Sequence, residues 1–396
     1  MTKVTTNSPA NFELSAIESV GHPPRIAGGP RASIKAQPGD SRWHNRRLVL
    51  QTLYTHGPIS RADIARATKL TKATVSDLVA QLADESLVYS LGTREARGPG
   101  KPAVLIDLAR SAHATVCLDL SGHELLRGAI IDIAGNVIER AEIPLGGARG
   151  NEVTALTVRL ANDLAAASPV AILGMGVGTP GVVDDLGTVR TAPNLGWHDE
   201  ALRSNLETAT GIPTVIANDA NAAAIAEHAL GDASDDLMLV TIGHGVGAGL
   251  IVDGRLVMGS RYASGEIGQV MVGTDLGLGA DYSRDQVLEH WLSVPNLRAA
   301  MDAAGAARDD ILREAGQRLG VALAPVIGAL NLAEVVLAGP PDLVGNEIAN
   351  AALEIVQRRT MSDSHDTLTI RTSDQGQDLV LLGAMALVLQ NRLGVS

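Results

Sequence analysis

One cysteine, one phenylalanine, three tryptophans and four tyrosines are all that 396 residues hold in thiols and aromatic rings. The single thiol, Cys117, has no partner for an intrachain disulfide and excludes a cysteine-rich zinc site. With 2% aromatic but 45% hydrophobic residues, the core has to be built from Ala, Val, Leu and Ile. No apolar run reaches the length of a bilayer. The longest uncharged one, Leu319–Ala333, spans about 15 residues and is broken by Pro325 and Asn331. The polar first residues lack the apolar stretch of a signal peptide. These absences point to a soluble, cytoplasmic chain with no membrane partner.

What is present is glycine and an uneven charge. Forty-two glycines suit a fold rich in tight turns and close backbone approaches. The net charge of −12 divides sharply: residues 1–107 hold 14 Lys/Arg against 9 Asp/Glu, and residues 108–396 hold 18 against 35. A basic front on an acidic body is what nucleic-acid binding by one end requires, although an excess of five is modest.

Residues 1–40 mix Ser, Thr, Pro and Gly without a hydrophobic period and read as a disordered tail, with order expected from Ser41. Arg42–Thr55 predicts a helix with Leu48, Leu50 and Leu53 on one side and Arg46 and Arg47 on the other, ended by His56-Gly-Pro. Ser60 and Asp63 form a capping box for a second helix through Ala67. Thr71 caps a third, whose Val75, Leu78, Val79 and Leu82 make one buried face. Leu87–Leu91 and Ala103–Asp107 read as strands around a wing, Gly92–Pro102. This is the order of a winged helix-turn-helix, assigned to residues 41–107.

Beyond it, Val116–Leu120 and Gly128–Ile133 form a glycine-turned hairpin, and Leu237–Ile242 with Leu250–Val252 repeats it about 120 residues later. Two related lobes follow. Helical stretches Glu152–Ala166, Ala220–Leu230, Arg308–Leu330, Ile348–Arg359 and Leu382–Arg392 make residues 108–396 an α/β region with a cleft. The smaller lobe is expected at about 110–216 plus 380–396 and the larger at about 217–379.

A recognition helix inserts small and polar side chains into the major groove while a wing reaches the adjacent backbone. Lys72 and Ser76 lie on the exposed face of the third helix. Thr71, Thr74 and Arg61 are candidate phosphate contacts, and Arg97 and Lys101 bracket Gly98-Pro-Gly100 in the wing. Taken singly, each is as well explained as a solvated surface group. Asp77 on the same face either accepts from a cytosine amino group or is solvated.

In the cleft, Asp219 is the carboxylate that a phosphoryl transfer to a sugar hydroxyl would need as base, with Asn194, Asn218 and Glu266 as polar neighbours. A lone Asn-Asp pair is more simply a turn. That bland reading weakens because three such segments occur in order. Gly176-Val-Gly-Thr-Pro-Gly181, Ala192-Pro-Asn-Leu-Gly-Trp197, Asn218-Asp-Ala-Asn-Ala222 and Gly265-Glu-Ile-Gly268 together resemble the ROK family (repressors, open reading frames and kinases), most of all its transcription-factor branch, over about residues 42–396. The resemblance implies an actin/hexokinase-like (ribonuclease H-like) two-lobed sugar-kinase fold. It also implies a sugar or sugar phosphate held by Asn194, Asn218, Asp219 and Glu266, and a homodimer or homotetramer on paired operator half-sites of double-stranded DNA.

The departures concern catalysis. The family's first phosphate loop, Asp-x-Gly-Gly-Thr, reads Asp119-Leu-Ser-Gly-His123 here. The second, Gly243-His-Gly-Val-Gly247, is nearly intact, and the late Gly-Gly has become Ala338-Gly-Pro-Pro341, whose prolines remove two N–H donors. The family histidine after Gly-Glu-Ile-Gly, which touches sugar and zinc, is Gln269, and Val272–Gly279 has no cysteine. Without zinc that loop is expected to lose its register against the sugar. The expectation is a ligand-controlled repressor with Gln269 among its ligand contacts, no metal, no cofactor and no kinase activity, Asp219 being a vestigial base. A working ATP-dependent sugar kinase with a DNA-binding appendage, and a ligand-blind DNA binder with a vestigial cleft, are the two rivals.

Overall fold

The computed structural model describes residues 38–93, 103–231, 233–273, 279–304 and 308–395. The chain divides into two compact units, residues up to His44 and Asn45–Ser396, and the architecture below is that of the second. The predicted tail before Pro38 and the wing residues Arg97 and Lys101 lie outside the described residues.

Helix α1 (Pro38–His56) starts four residues earlier than the periodicity predicts. Proline suits a first helical turn, where its missing N–H leaves no bond unmade. Val49, Leu50 and Leu53 are fully buried. The two arginines are not a free outer face: Arg46 makes a two-pronged ion pair with Glu85, and Arg47 Nε donates to the Gly394 carbonyl at 3.4 Å. Strand β1 (Ile59–Ser60) leads into α2 (Arg61–Thr68), and α3 (Lys72–Asp84) follows. Both predicted caps form: Ser60 Oγ accepts from Asp63 N–H and Thr71 Oγ1 from Thr74 N–H. Strands β2 (Val88–Thr93) and β3 (Val104–Leu108) pair antiparallel, and β1 adds to the other side of β3.

The acidic body holds two five-stranded sheets of one design. The first is made of β4 (His113–Asp119), β5 (Leu125–Asp132), β6 (Val137–Pro144), β7 (Ala171–Thr179) and, after a small sheet, β11 (Thr214–Asn218). Helix α4 (Asn151–Ala167) joins β6 to β7. The small sheet contains β8 (Val182–Val183), β9 (Val189–Ala192) and β10 (Trp197–Glu200), followed by α5 (Leu202–Thr210). Helix α6 (Asp219–Leu230) then opens the second half, with β12 (Leu237–Ile242), β13 (Val246–Val252) and β14 (Arg255–Leu256). Next come α7 (Leu288–Leu292), α8 (Val294–Ala304), α9 (Arg308–Leu330), β15 (Glu334–Ala338), α10 (Asn346–Arg359), α11 (Ser362–His365), β16 (Thr369–Thr372) and α12 (Leu379–Arg392).

Strand order is β6-β5-β4-β7-β11 in the first sheet and β14-β13-β12-β15-β16 in the second. In each, three antiparallel strands are extended by two parallel ones. The repeat read from two hairpins thus extends to whole sheets.

Helices α6 and α12 pack on each other between the sheets, α6 against β12 and β13, α12 against β4 and β7. Small residues make this possible where aromatics are scarce. A Cβ placed on Gly176 of β7 would stand 2.0 Å from the Ala384 carbonyl oxygen of α12. Helix α12 begins three residues before the predicted Leu382, because Leu379 and Leu381 are buried in its first turn. Its far end enters the helix-turn-helix: Leu389, Leu393 and Val395 share one core with Val49, Leu50, Leu53 and Val75.

Candidate functional site

On α3 the apolar face Val75, Leu78, Val79 and Leu82 is buried, which turns Lys72, Ala73, Ser76 and Asp77 to solvent. The exposed face is therefore the one the spacing predicts. Thr71 and Thr74 are less free than a phosphate contact would be, since their hydroxyls lie 2.8 Å apart at the cap. Arg61 is half-buried at the start of α2. Arg66, on the same helix, is tied to Asp63.

In the body, β11 runs straight into α6 at Asn218-Asp219. Asn218 caps the helix, its Oδ1 accepting from Asn221 N–H at 3.1 Å. Its Nδ2 donates to the Gly181 carbonyl at 3.0 Å, which fastens the turn after β7 to the site. Asn218 is thus as much a brace as a ligand contact. Asp219 accepts from Ala220 N–H at 2.8 Å. Burial, with the Asp119 and Glu266 carboxylates adding repulsion, pushes its carboxyl up to about 7. Glu266 is open to solvent, yet the surrounding protein and then Glu289 raise its carboxyl as well. Asn194 is exposed in the turn between β9 and β10.

Asn221, one helical turn beyond Asn218, was not singled out in the sequence. It is 2% exposed, and its Oδ1 has no hydrogen-bond partner among the described residues. A buried acceptor left unpaired costs about 1–3 kcal/mol, so such a group is well suited to a ligand hydroxyl. The i, i+3 spacing of Asn218 and Asn221 was the available signal.

Gln269 ends the 3₁₀ turn Ile267–Gln269, and its Oε1 accepts from the Tyr282 hydroxyl at 2.7 Å. Of the segment expected to lose its register, residues 274–278 lie outside the described residues; the chain leading into it is tied to the body. Val272 N–H donates to Gln286 O at 2.8 Å, Leu288 N–H to Val270 O at 2.9 Å, and Arg318 Nη1 to Val272 O at 2.9 Å. Gln269 stands in for the histidine, and among the described residues no cluster of three or more His, Cys, Asp or Glu could hold a metal.

The two glycine loops make contacts with side chains of the chain itself. Asp119, fully buried, accepts from Ser121 N–H at 2.9 Å and Ser121 Oγ at 2.6 Å and is paired with Arg127. The rings of His123 and His244, one from each loop, stack with centroids 4.6 Å apart and planes at 17°. Burial and the His123 ring hold the His244 imidazole below its ordinary value, with Glu124 opposing. In the second loop, Glu289 Oε2 accepts from Val246 N–H at 3.0 Å. That is the kind of backbone donor a phosphate would use. His244 and Glu289 carried no sequence signal for these contacts, because their partners lie 121 and 43 positions away in the chain, and Arg127, eight positions from Asp119, was not singled out.

The sequence profile of the ROK family matches residues 115–391, and that of the MarR family matches residues 44–92. The xylose repressor of Caldicellulosiruptor bescii is 27% identical over 391 residues, covering 88% of this chain and 96% of the relative. The glucokinase of Halalkalibacterium halodurans is 28% identical over 309 residues, covering 68% and 93%. Among solved structures, a ROK family transcriptional regulator described as a homologue of the Escherichia coli MLC protein superposes with a TM-score of 0.77 at 22% identity. It covers 89% of this chain and 98% of that one. The fold is a winged helix-turn-helix followed by a ROK-type, kinase-like α/β region.

Proposed function

Since the chain belongs to the ROK family, we propose that it is a cytoplasmic, DNA-binding transcriptional repressor controlled by a sugar or sugar derivative in the cleft beside Asp219. Residues 41–107 serve as the DNA-binding domain and residues 108–396 as the sensor. Asn194, Asn218, Asp219, Glu266 and Gln269 contact the ligand. Arg61, Thr71, Lys72, Thr74, Ser76, Arg97 and Lys101 face DNA. A homodimer or homotetramer presents two recognition helices to paired half-sites.

The observation that carries this reading is the course of α12. Its middle lies against α6, the helix that Asp219 begins, and its end shares a core with α1 and α3. A ligand that closes the cleft moves α6, and α12 carries the displacement into the helix-turn-helix. Coupling of this kind is worth about 1–3 kcal/mol, a 5- to 150-fold change in affinity for DNA.

We further infer that the cleft is not a kinase. A nucleotide would have to displace the Asp119–Arg127 pair and the His123–His244 stack and face the Glu289 carboxylate. The residues present do not fit ATP. One observation favours the rival enzyme: a carboxyl held at about 7 is poised for general-base work. Coupled ADP release across hexoses and N-acetylated hexosamines separates the two, with Asp219→Asn as control. The repressor reading itself is tested by gel shift of the chain's own upstream DNA at low salt, and a protein that shifts no fragment refutes it.

A further inference from the structure

An open cavity of about 600 Å³ is lined by Val182, Asp184, Asp185, Arg190 and Thr191 together with Arg261 and Tyr262. Its size is within the roughly 300–1,000 Å³ of small-molecule sites. None of the five proposed ligand contacts lines it. It is nonetheless continuous with them along three stretches of chain. Val182 follows Gly181, whose carbonyl holds Asn218. Thr191 precedes Asn194 by three residues, and the Arg261-Tyr262-Ala263 loop leads directly into Gly265-Glu266.

The lining shows which chemistry it takes. Asp184 is already engaged, accepting from Leu186 and Thr188 N–H at 3.0 and 2.9 Å, with Arg190 3.8 Å away. Arg190 is also paired with Asp199 at 3.1 Å. The Asp185 carboxylate, on the same cavity lining as Tyr262, raises the Tyr262 phenol above its ordinary value. Arg261 is exposed and makes no ion pair or hydrogen bond among the described residues. Tyr262 sits at φ +60°, a left-handed conformation that a bulky residue adopts only where its surroundings hold it.

An aromatic ring, a donor and an acceptor around a charge-balanced hollow suit a neutral, hydroxylated ring. Its apolar face lies on Tyr262, with hydroxyls accepting from Arg261 and donating to Asp185. A phosphate or carboxylate drawn to Arg261 would meet Asp184 and Asp185 in the same space. We propose that the effector is a neutral glycoside of at least two rings, its first ring at Asp219 and its second in this cavity. This rests on the reading of the cleft as a sugar site.

Isothermal titration calorimetry of the full chain tests it with the pairs xylose and xylobiose, glucose and cellobiose, glucose and maltose, N-acetylglucosamine and chitobiose. Glucose 6-phosphate and N-acetylglucosamine 6-phosphate complete the panel. One disaccharide is expected to bind at least tenfold tighter than its monosaccharide. Arg261→Ala and Asp185→Asn, both surface changes, each reduce that advantage by at least threefold and leave the monosaccharide affinity as it was. Equal binding of every pair, an advantage untouched by both variants, or tighter binding of a phosphorylated sugar overturns the two-ring proposal while leaving the sugar cleft intact. Absence of binding by any sugar in the panel overturns both.

Discussion

Gly383 of α12 lies against Ala222 of α6 so closely that a Cβ added to it would stand 1.9 Å from the Ala222 carbonyl oxygen. The contact joins the helix that carries Asp219 to the helix that ends in the DNA-binding core. Neither helix can shift there without the other.

Gly383→Ala therefore forces two backbones apart and lowers stability by about 1–3 kcal/mol or more, as overpacking does. Urea denaturation measures the loss. Gly279→Ala, where an added Cβ meets nothing within 4 Å among the described residues, is the control and stays within about 0.5 kcal/mol. Equal stability of the two variants would remove the α6–α12 contact from the account.

Asp219 gives stability a particular pH dependence. Its carboxyl is raised from 3.8 to about 7 by burial, so between those values the folded chain binds more protons than the unfolded chain. Stability contributed by the protonated form is full below pH 3.8 and is lost as pH rises through 7. At about 1.4 kcal/mol per pKa unit the loss amounts to a few kcal/mol. Asp219→Asn abolishes it, so the variant gains on wild type from pH 5 to pH 8 in denaturation midpoints. A constant difference over that range contradicts the shift.

The self-occupied glycine loops predict no phosphoryl transfer. Sugar-dependent ADP release is expected to be the same for wild type and Asp219→Asn. Loss of one strong transition-state contact already costs about 10²–10³-fold, and the first loop carries Ser121 and His123 where the family pattern has Gly and Thr. A rate that falls in the Asn variant would restore the kinase reading.

On DNA, Lys72→Ala is expected to weaken binding to any sequence and to lower the salt slope by about 0.9, the share of one phosphate. Ser76→Ala leaves the slope unchanged and alters preference at one operator position. Fluorescence anisotropy between 50 and 200 mM salt, on upstream and unrelated duplexes, distinguishes these outcomes. An unchanged slope in the Lys72 variant removes that residue from the phosphate contacts.

Local rules made much of this chain legible. The caps at Ser60 and Thr71 depend on residues three positions apart, and the buried face of α3 on the spacing of Val75, Leu78, Val79 and Leu82, so both were readable in sequence. The two hairpins announced two sheets because each carries its own glycine turn. What sequence could not disclose depends on long-range meetings. Arg46 reaches Glu85, Glu289 reaches Val246 and His123 reaches His244 over 39, 43 and 121 positions, and no spacing rule links such pairs. The hold on the Gln269 loop was missed for the same reason, since Tyr282 and Arg318 come to it from later elements. At the site, Asp219 and Glu266 were readable as chemistry, whereas the double engagement of Asn218 and the orphaned Asn221 needed coordinates.

The most direct measurement is a footprint of the full chain on its own upstream intergenic DNA, titrated with and without a sugar that raises its thermal midpoint. Such a sugar is expected to shift the DNA dissociation constant at least fivefold, and Asp219→Asn to reduce the shift. A footprint that stays the same at sugar concentrations saturating the cleft would contradict it.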